Sequence, residues 1–314
     1  MGGTLPPNDP ESPDTPSDSI ELVIESKPRD VGSFAVRRAL PSMRRRLVGP
    51  FIFFDHFGPI ELPLGVGMDV RPHPHIELAT VTYLFDGEIV HRDSLGSMQI
   101  IRPGEVNWMV AGRGIVHSER SSPESRSAGV RMHGLQSWVA LPVEREQTEP
   151  RFEHHPSATI PRLQVDGARL EIVAGTAYGE RSPVGVLSPT LYVHACLEAG
   201  GRISVDDTHE ERGIYIAEGA IECDGGTFLP GTMLVLRPGA HVTVAAQQPA
   251  RIMLVGGAKL TGERHIYWNF DSSSKERIER AKDDWQNRRF PTVPGDEVEF
   301  IPLPEQPNPP KTTG

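Results

Sequence analysis

The segment from His73 to Glu119 begins and ends with the same kind of short motif, and this constrains the fold more than any other feature. It opens on His73-Pro-His75 and closes on His117-Ser-Glu119. Side chains two positions apart in a strand point to the same face, so each end can direct two ligand-type groups at one point. Three imidazoles and one carboxylate suit a divalent transition metal. The spacing therefore predicts strands that bring two ligand pairs together.

The chain between these motifs has the character of strands and turns. An alternating run, Thr80-Val-Thr-Tyr-Leu-Phe85, leads into the hairpin signal Asp86-Gly87-Glu88. Antiparallel strands can place the two ligand pairs opposite each other across a barrel. Pro72 and Pro74 flank His73, and proline favours a strand start or edge because it cannot donate to the ladder. We therefore expect the imidazoles at an accessible barrel mouth.

Length, charge and cysteine content limit the class of protein. The 314 residues suggest about two domains. The net charge of −10 argues against direct nucleic-acid binding. Neither a membrane-spanning apolar run nor a signal peptide is evident. With only Cys196 and Cys223, and no CxxC motif, a reducing cytoplasm is expected.

The second half repeats the first in a weaker form. Tyr83 to Ile89 is echoed by Tyr215 to Ile221, and short strands with Gly and Pro turns run from Leu170 to Gly256. We expect neither a His-x-His nor a His-x-Glu pair in this half, and its scattered histidines read as ordinary; they include His194, His209 and His241. We therefore expect a second barrel that serves as a metal-free scaffold.

Several motifs along the chain together resemble the pirin family, within the cupin superfamily of double-stranded β-barrels. They cover most of the first half and part of the second. They are Gly49-Pro-Phe51, Phe54-Asp-His56-Phe-Gly58, His73-Pro-His75, Thr80 to Ile89, His91-Arg-Asp93-Ser, Pro103-Gly104, Asn107-Trp-Met109, Ala111 to Glu119, and Trp268-Asn-Phe270.

The resemblance implies an all-β fold of two cupin-type barrels, a bicupin, with a short C-terminal helix. We expect a disordered tail at 1–19, a metal-binding barrel at 20–145, a metal-free barrel at 146–260, and a helix and tail at 261–314 that pack back on the first barrel. The helix is predicted from Ser272 to Trp285, with an apolar stripe and a serine cap.

The resemblance also implies the metal ligands and a function. The pirin ligand pairs fall on His73, His75, His117 and Glu119. They imply Fe²⁺, although other divalent transition metals suit the same ligands. Dioxygenase action of the quercetin 2,3-dioxygenase type on a flavonol-like enolate with O₂ is implied, with Glu119 accepting the hydroxyl proton. The alternatives are an iron-dependent redox-sensing regulator, which binds a transcription factor or metabolic enzyme without turnover, and a purely structural metal.

Three further residues compete for roles near the metal. Glu77 shares the parity of His73, so an unbroken strand would turn it inward as a rival to Glu119. The two-residue spacing of His117 and Glu119 favours Glu119 as the ligating carboxylate. Glu77 is expected to lie outside the ligand set or to form a salt bridge. His56, next to Asp55, and His91 are read as hydrogen-bonded structural histidines.

Overall fold

The computed structural model describes residues 18–31 and 35–304, so most of the predicted tail at 1–19 lies outside it. Its first barrel is built from two antiparallel sheets. The large sheet has the order β12 (Arg151–His155), β9 (Val106–Val110), β6 (Leu78–Asp86), β11 (Val130–Ala140), β4 (Phe51–Leu62), β3 (Ala35–Leu40) and β2 (Lys27–Asp30). The small sheet has the order β5 (Asp69–His75), β10 (Ile115–Arg120), β7 (Ile89–Asp93) and β8 (Met98–Ile101).

The second barrel repeats this arrangement. Its large sheet has the order β1 (Ile20–Glu25), β21 (Thr232–Leu236), β18 (Glu211–Glu218), β23 (Ala250–Gly257), β16 (Thr190–Leu197), β14 (Ala168–Ala177) and β13 (Arg162–Val165), with β15 (Glu180–Arg181) paired to β14. Its small sheet has the order β17 (Arg202–Val205), β22 (Val242–Ala245), β19 (Ile221–Cys223) and β20 (Gly226–Phe228). The predicted two-barrel, all-β fold is confirmed.

The two halves exchange one edge strand each. β1 comes from the start of the chain but pairs with β21 of the second barrel. β12 lies beyond the expected boundary at residue 146, yet it pairs with β9 of the first barrel. The expected boundaries at residues 20 and 146 therefore do not follow the strand pairing. Such long-range exchange leaves no local sequence signal, because each strand has the same alternation whichever sheet it joins.

The large sheets pack against each other and bury a shared core. Alternate side chains of each strand face this seam, and the others face the interior of their own barrel. In β16, Tyr192 packs in the seam, whereas Leu191 and Val193 fill the second barrel. In β6, Tyr83 likewise reaches the seam, where its hydroxyl meets polar groups of the second barrel. Each barrel therefore contacts the other through one wall.

The C-terminal segment packs on the first barrel. A hairpin of β24 (His265–Tyr267) and β25 (Phe270–Ser272) leads into α2 (Lys275–Gln286). The hydroxyl of Ser274 caps this helix by accepting from the N–H of Arg277 at 3.2 Å. Ile278 and Ala281 are buried in a cluster with Phe270 and with Ile76 of the first barrel. The shorter α1 (Pro123–Ala128) and 3₁₀ turns at Val143–Arg145 and Ser157–Thr159 complete the elements.

Neither α-helix within the described ranges has the length and apolar character needed to cross a bilayer.

Candidate metal centre

Three of the four predicted ligands converge inside the first barrel. β5 and β10 are neighbours in the small sheet, and His73 lies opposite His117 in their register. The ring centroids of His73, His75 and His117 are separated by 4.4–5.0 Å. One ring nitrogen of each residue lies within 4.8 Å of the others, and all three side chains are buried. The predicted convergence of the two strand ends is thus present for the imidazoles.

Backbone carbonyls orient two of these imidazoles. His73 Nδ1 lies 2.9 Å from the carbonyl oxygen of Arg71, and His75 Nδ1 lies 3.0 Å from that of Asn269. A carbonyl can only accept, so each Nδ1 carries the proton and each Nε2 keeps its lone pair. A metal-binding histidine is commonly fixed by such a bond from its second nitrogen. Asn269 lies in the C-terminal hairpin, which therefore sets the tautomer of His75 in the first barrel.

His117 is oriented by a short relay of side chains. Its Nδ1 lies 3.5 Å from Nδ1 of His91, whose Nε2 lies 3.0 Å from a carboxylate oxygen of Asp93. The carboxylate holds the proton of His91 on Nε2, so His91 Nδ1 can accept from His117. Among the residues that the structure describes, the buried Nε2 of His117 has no hydrogen-bond partner. A buried lone pair directed at two other imidazoles fits a divalent metal ion.

Burial keeps the three imidazoles in their metal-binding form. Desolvation lowers the pKa of His73 to about 4, and it lowers the pKa values of His75 and His117 well below the ordinary value. Neighbouring imidazoles lower all three further. The rings are therefore neutral near pH 7, and neutral imidazole is the form that ligates metals.

Glu119 lies beside the three histidines but outside their mutual 4.8 Å group. It is buried and lines the same cavity as His73 and His75. A β-bulge between His117 and Glu119 shifts the register, so the carboxylate does not simply repeat the position of the imidazole. The hydroxyl of Thr82 donates to its Oε1 at 2.9 Å. Burial raises the pKa of Glu119, although His91 and the Thr82 hydrogen bond oppose this rise.

Glu77 points away from the histidines. Its φ of 60° breaks the chain between β5 and β6, so the parity argument for an unbroken strand does not apply. The buried side chain contacts Gln147 and forms an ion pair with Arg277 of α2 at 3.3 Å. Burial raises its pKa to about 7, and the nearby Glu146 adds to the rise. Glu77 thus tethers the C-terminal helix.

A cavity of about 450 Å³ opens beside the histidines. Phe53 and Trp138 stack with their centroids 4.0 Å apart, and the Trp138 ring meets His75 edge-on at 5.1 Å. Ligand pockets are typically mostly apolar with a few polar groups, and their volumes are about 300–1,000 Å³. The remaining lining residues are Asp30, Val31, Val36, Arg38, Asp55, Phe57, Met68, Val70, His73, Ile89, Glu119, Gln136, Trp268, Asn269 and Ile301.

The other histidines are engaged elsewhere. His56 Nε2 lies 2.7 Å from His133 Nε2, and its Nδ1 lies 2.9 Å from the hydroxyl of Tyr215. One His-x-Glu spacing does occur in the second half, at His209 and Glu211, contrary to the expectation that the ligand pairs end with the first barrel. His209 donates to the carbonyl of Thr176, whereas Glu211 accepts from the backbone of Gly49, so the two do not converge.

Two contributors to the site were not predicted from the sequence. His91 was correctly expected to be hydrogen-bonded, but its contact with His117 was missed, as was the carbonyl of Asn269. His91-Arg-Asp93 has the same two-residue spacing as the ligand pairs, and this spacing is the signal that could have indicated the relay. A backbone carbonyl carries no such signal.

Two paired cupin barrels, with a histidine triad inside one of them, define the protein as a bicupin. Residues 33–139 match the Pirin family profile, and residues 192–291 match that of the Pirin C-terminal cupin domain. A pirin-like protein of Caulobacter vibrioides is 48% identical over 289 residues, which are 91% of this chain and 100% of that protein. The chain belongs to the pirin family.

Solved structures show the same architecture. The crystal structure of quercetin 2,3-dioxygenase from Acinetobacter baumannii superimposes with a TM-score of 0.85 at 31% identity, covering 92% of this chain and 96% of that one. Bacterial pirin YhhW from Escherichia coli, solved in complex with nickel(II), has a TM-score of 0.61 at 19% identity, covering 76% and 99%. The second likeness concerns the fold alone.

Proposed function

We propose that this pirin is a metal-dependent dioxygenase of the quercetin 2,3-dioxygenase type, acting on flavonol-like enolates. The observation that carries the proposal is the buried triad of neutral histidines, of which His73 and His75 line an aromatic cavity. The Nε2 of His117 has no hydrogen-bond partner within the described ranges. The similarity of this chain to the quercetin 2,3-dioxygenase of Acinetobacter baumannii supports the reaction class.

His73, His75, His117 and Glu119 would hold the ion. Three nitrogens and one oxygen suit Fe²⁺ first, and Mn²⁺, Ni²⁺, Cu²⁺ or Zn²⁺ as alternatives. When bound, the ion supplies Lewis-acid and redox chemistry to an enolate and to dioxygen. Glu119 would complete the set by a side-chain rotation toward the imidazoles. Its contact with Thr82 leaves its second carboxylate oxygen available for this.

The cavity supports a flat aromatic substrate. Phe53 and Trp138 provide parallel ring surfaces, and the guanidinium of Arg38 lies 4.3 Å from the Phe53 centroid while pairing with Asp55 at 2.7 Å. Flat rings bind against such surfaces by apolar burial and offset stacking. Trp268, at the cavity wall, is held with a φ of 53° in the turn that also presents the Asn269 carbonyl to His75.

Glu119 would remove the substrate hydroxyl proton. A general base works best when its pKa lies near the pH at which the protein works, which for a carboxyl means a raised pKa. Burial raises the pKa of Glu119. Thr82 donates to Oε1, so the second oxygen would serve both roles, and accepting the proton would require the carboxylate to swing from the imidazoles toward the substrate. The water-poor surroundings favour neutralisation of the carboxylate by that proton.

The test is oxygen consumption by iron-loaded protein on a panel of flavonols, with carbon monoxide release measured in parallel. We expect stoichiometric uptake of oxygen that requires both iron and Glu119. Iron binding without turnover on any flavonol would favour the iron-dependent regulator instead. In that case, capture of a protein partner would differ between the Fe²⁺ and Fe³⁺ forms. Cytoplasmic location is part of the same proposal, and fractionation of cells tests it.

A further inference from the structure

A second line of interacting titratable groups lies on β16 of the second barrel. His194 and Cys196 are two residues apart and point to the same face. His194 Nε2 is 3.3 Å from the sulfur of Cys196, and His194 Nδ1 is 3.2 Å from Oε2 of Glu171. Tyr83 of the first barrel donates to the same carboxylate oxygen at 2.5 Å. A thiol, an imidazole and a carboxylate thus stand in sequence, as in an activated nucleophile.

The exposure of these groups decreases along the line. Cys196 is partly exposed, whereas His194 and Glu171 are buried. The chain has one other cysteine, Cys223, which is buried on β19. His194 was expected to be an ordinary histidine, and the structure corrects this. The His-x-Cys spacing was the signal for the pair.

Cations surround the thiol on neighbouring strands. Arg169 of β14 has a guanidinium nitrogen 3.8 Å from the sulfur, and Arg251 of β23 lies opposite Cys196 in the strand register. Arg162 of β13 pairs with Glu171 at 3.1 Å, which secures the carboxylate in place. A thiolate is favoured by nearby positive charge and a hydrogen-bonded imidazole.

The pKa shifts agree with this geometry. Burial opposes ionisation of Cys196, but the hydrogen bond and charge of His194, with Arg251 and Arg169, lower its pKa to about 7. Burial also lowers the pKa of His194, but its bonds to Cys196 and Glu171 outweigh this and raise the pKa above its ordinary value. Bonds from His194 and Tyr83 lower the pKa of Glu171 to about 2 despite its burial.

We propose that Cys196 is a reactive thiolate site that small hydroperoxides oxidise, with His194 and Glu171 as its positioning residues. The sulfur attacks the distal oxygen of the hydroperoxide, so an S–O bond forms as the O–O bond breaks. The sulfur loses two electrons and becomes a sulfenic acid. The leaving alkoxide, or hydroxide from hydrogen peroxide, takes a proton from the His194 imidazolium. This site is separate from the proposed metal centre and stands without it.

Alkylation kinetics test the thiolate directly. In Cys223→Ser protein, the rate of Cys196 alkylation by iodoacetamide should rise with pH through a midpoint near 7. With His194→Gln added, the midpoint should move up by about 1.5 pH units, to the ordinary thiol value. His209→Gln is the matched control, since His209 is also buried in the second barrel but bonds to the carbonyl of Thr176. It should leave the midpoint unchanged.

Two results would overturn the proposal. The first is a midpoint at about 8.5 or above in the Cys223→Ser protein, which is decisive even if His194→Gln fails to fold. The second comes from hydrogen peroxide treatment with dimedone trapping and mass spectrometry. We expect label on Cys196 in the Cys223→Ser protein and none in Cys196→Ser. Absence of label from Cys196 would exclude hydroperoxide as its reactant.

Discussion

The two barrels share one topology but fill their interiors differently. In the small sheet of the first barrel, His73 lies opposite His117. In the matching sheet of the second barrel, Ile203 lies opposite Val244 and Val205 opposite Val242. All four of these apolar side chains are buried in that barrel's core. The difference shows that the fold does not depend on the side chains proposed to bind the metal, since one copy forms without them.

The first barrel has less apolar packing in its interior than the second. A buried Val, Leu or Ile contributes roughly 1.5–3 kcal/mol relative to an exposed one. The first barrel carries imidazoles in place of such side chains, the buried Nε2 of His117 has no hydrogen-bond partner among the described residues, and the barrel keeps a cavity of about 450 Å³. A bound ion would offset this cost, since a ligand that binds only the folded state stabilises it. The first barrel thus carries the proposed metal site, and the second barrel has a fully apolar interior at the matching strands.

The largest expected effect is loss of metal from the first barrel. His75→Ala with His117→Ala removes two of the three convergent nitrogens, so we expect iron to fall from one ion per chain to almost none. Metal analysis of protein purified without chelator measures this. His209→Ala, in the second barrel, is the control and should keep full iron content. Full iron in the double variant would show that the triad is not the site.

A second comparison separates two buried carboxylates. Glu119→Gln should lower oxygen consumption on a flavonol by about 10²–10⁴-fold, the usual contribution of a general base, and should weaken iron binding. Glu77→Gln should keep iron and change turnover only modestly, because Glu77 contacts Arg277 rather than the triad. Iron content and oxygen uptake are measured for both. Loss of iron only in Glu77→Gln would reverse the assignment.

The relay behind His117 should have a smaller effect. Asp93→Asn removes the charge that fixes the tautomer of His91, and His91 in turn orients His117. Loss of such an outer contact typically costs 10–100-fold in metal affinity. Competition with a chelator of known affinity measures the change, and Asp55→Asn is a control carboxylate outside the relay. Unchanged affinity in Asp93→Asn would mean that His117 is held by packing alone.

The smallest expected effect concerns acid stability at the seam between the barrels. Burial, followed by the charge of Arg37, lowers the pKa of His56 to about 2, and burial with Arg251 lowers that of His133 to about 4. Both are neutral in the folded protein, whereas the unfolded chain protonates them below about pH 6.5. Stability is therefore lost as pH falls below 6.5, by at most about 2 kcal/mol per imidazole at pH 5.

Denaturant unfolding at pH 7 and pH 5 measures this loss. His56→Gln should reduce the difference between the two pH values, because one neutral buried imidazole is removed. His209→Gln, outside the seam, should leave the difference as it is in the parent protein. An undiminished difference in His56→Gln would place the acid-sensitive groups elsewhere.

The local spacing of residues predicted most strands and the histidine pairs. The features that it did not predict depend on contacts between segments far apart in the sequence. The two-residue spacing placed His73 and His75 on one face, and the Tyr83 and Tyr215 motifs correctly indicated two similar barrels. The exchange of β1 and β12 was not predictable, because strand alternation does not specify a partner. The salt bridge expected as one role of Glu77 is present, to Arg277, but its left-handed backbone conformation was not predicted because that conformation is rare for glutamate. His194 with Cys196 was overlooked although the spacing was visible.

The central claim is that only the first barrel binds a metal ion, through His73, His75, His117 and Glu119. Anomalous X-ray diffraction from crystals of the iron-loaded protein tests it most directly. We predict one strong peak per chain, at about 2.0–2.2 Å from the Nε2 atoms and from a Glu119 oxygen, as expected for transition-metal ligands. A peak near His194 or His209 in the second barrel, or none among the three histidines, would contradict the account.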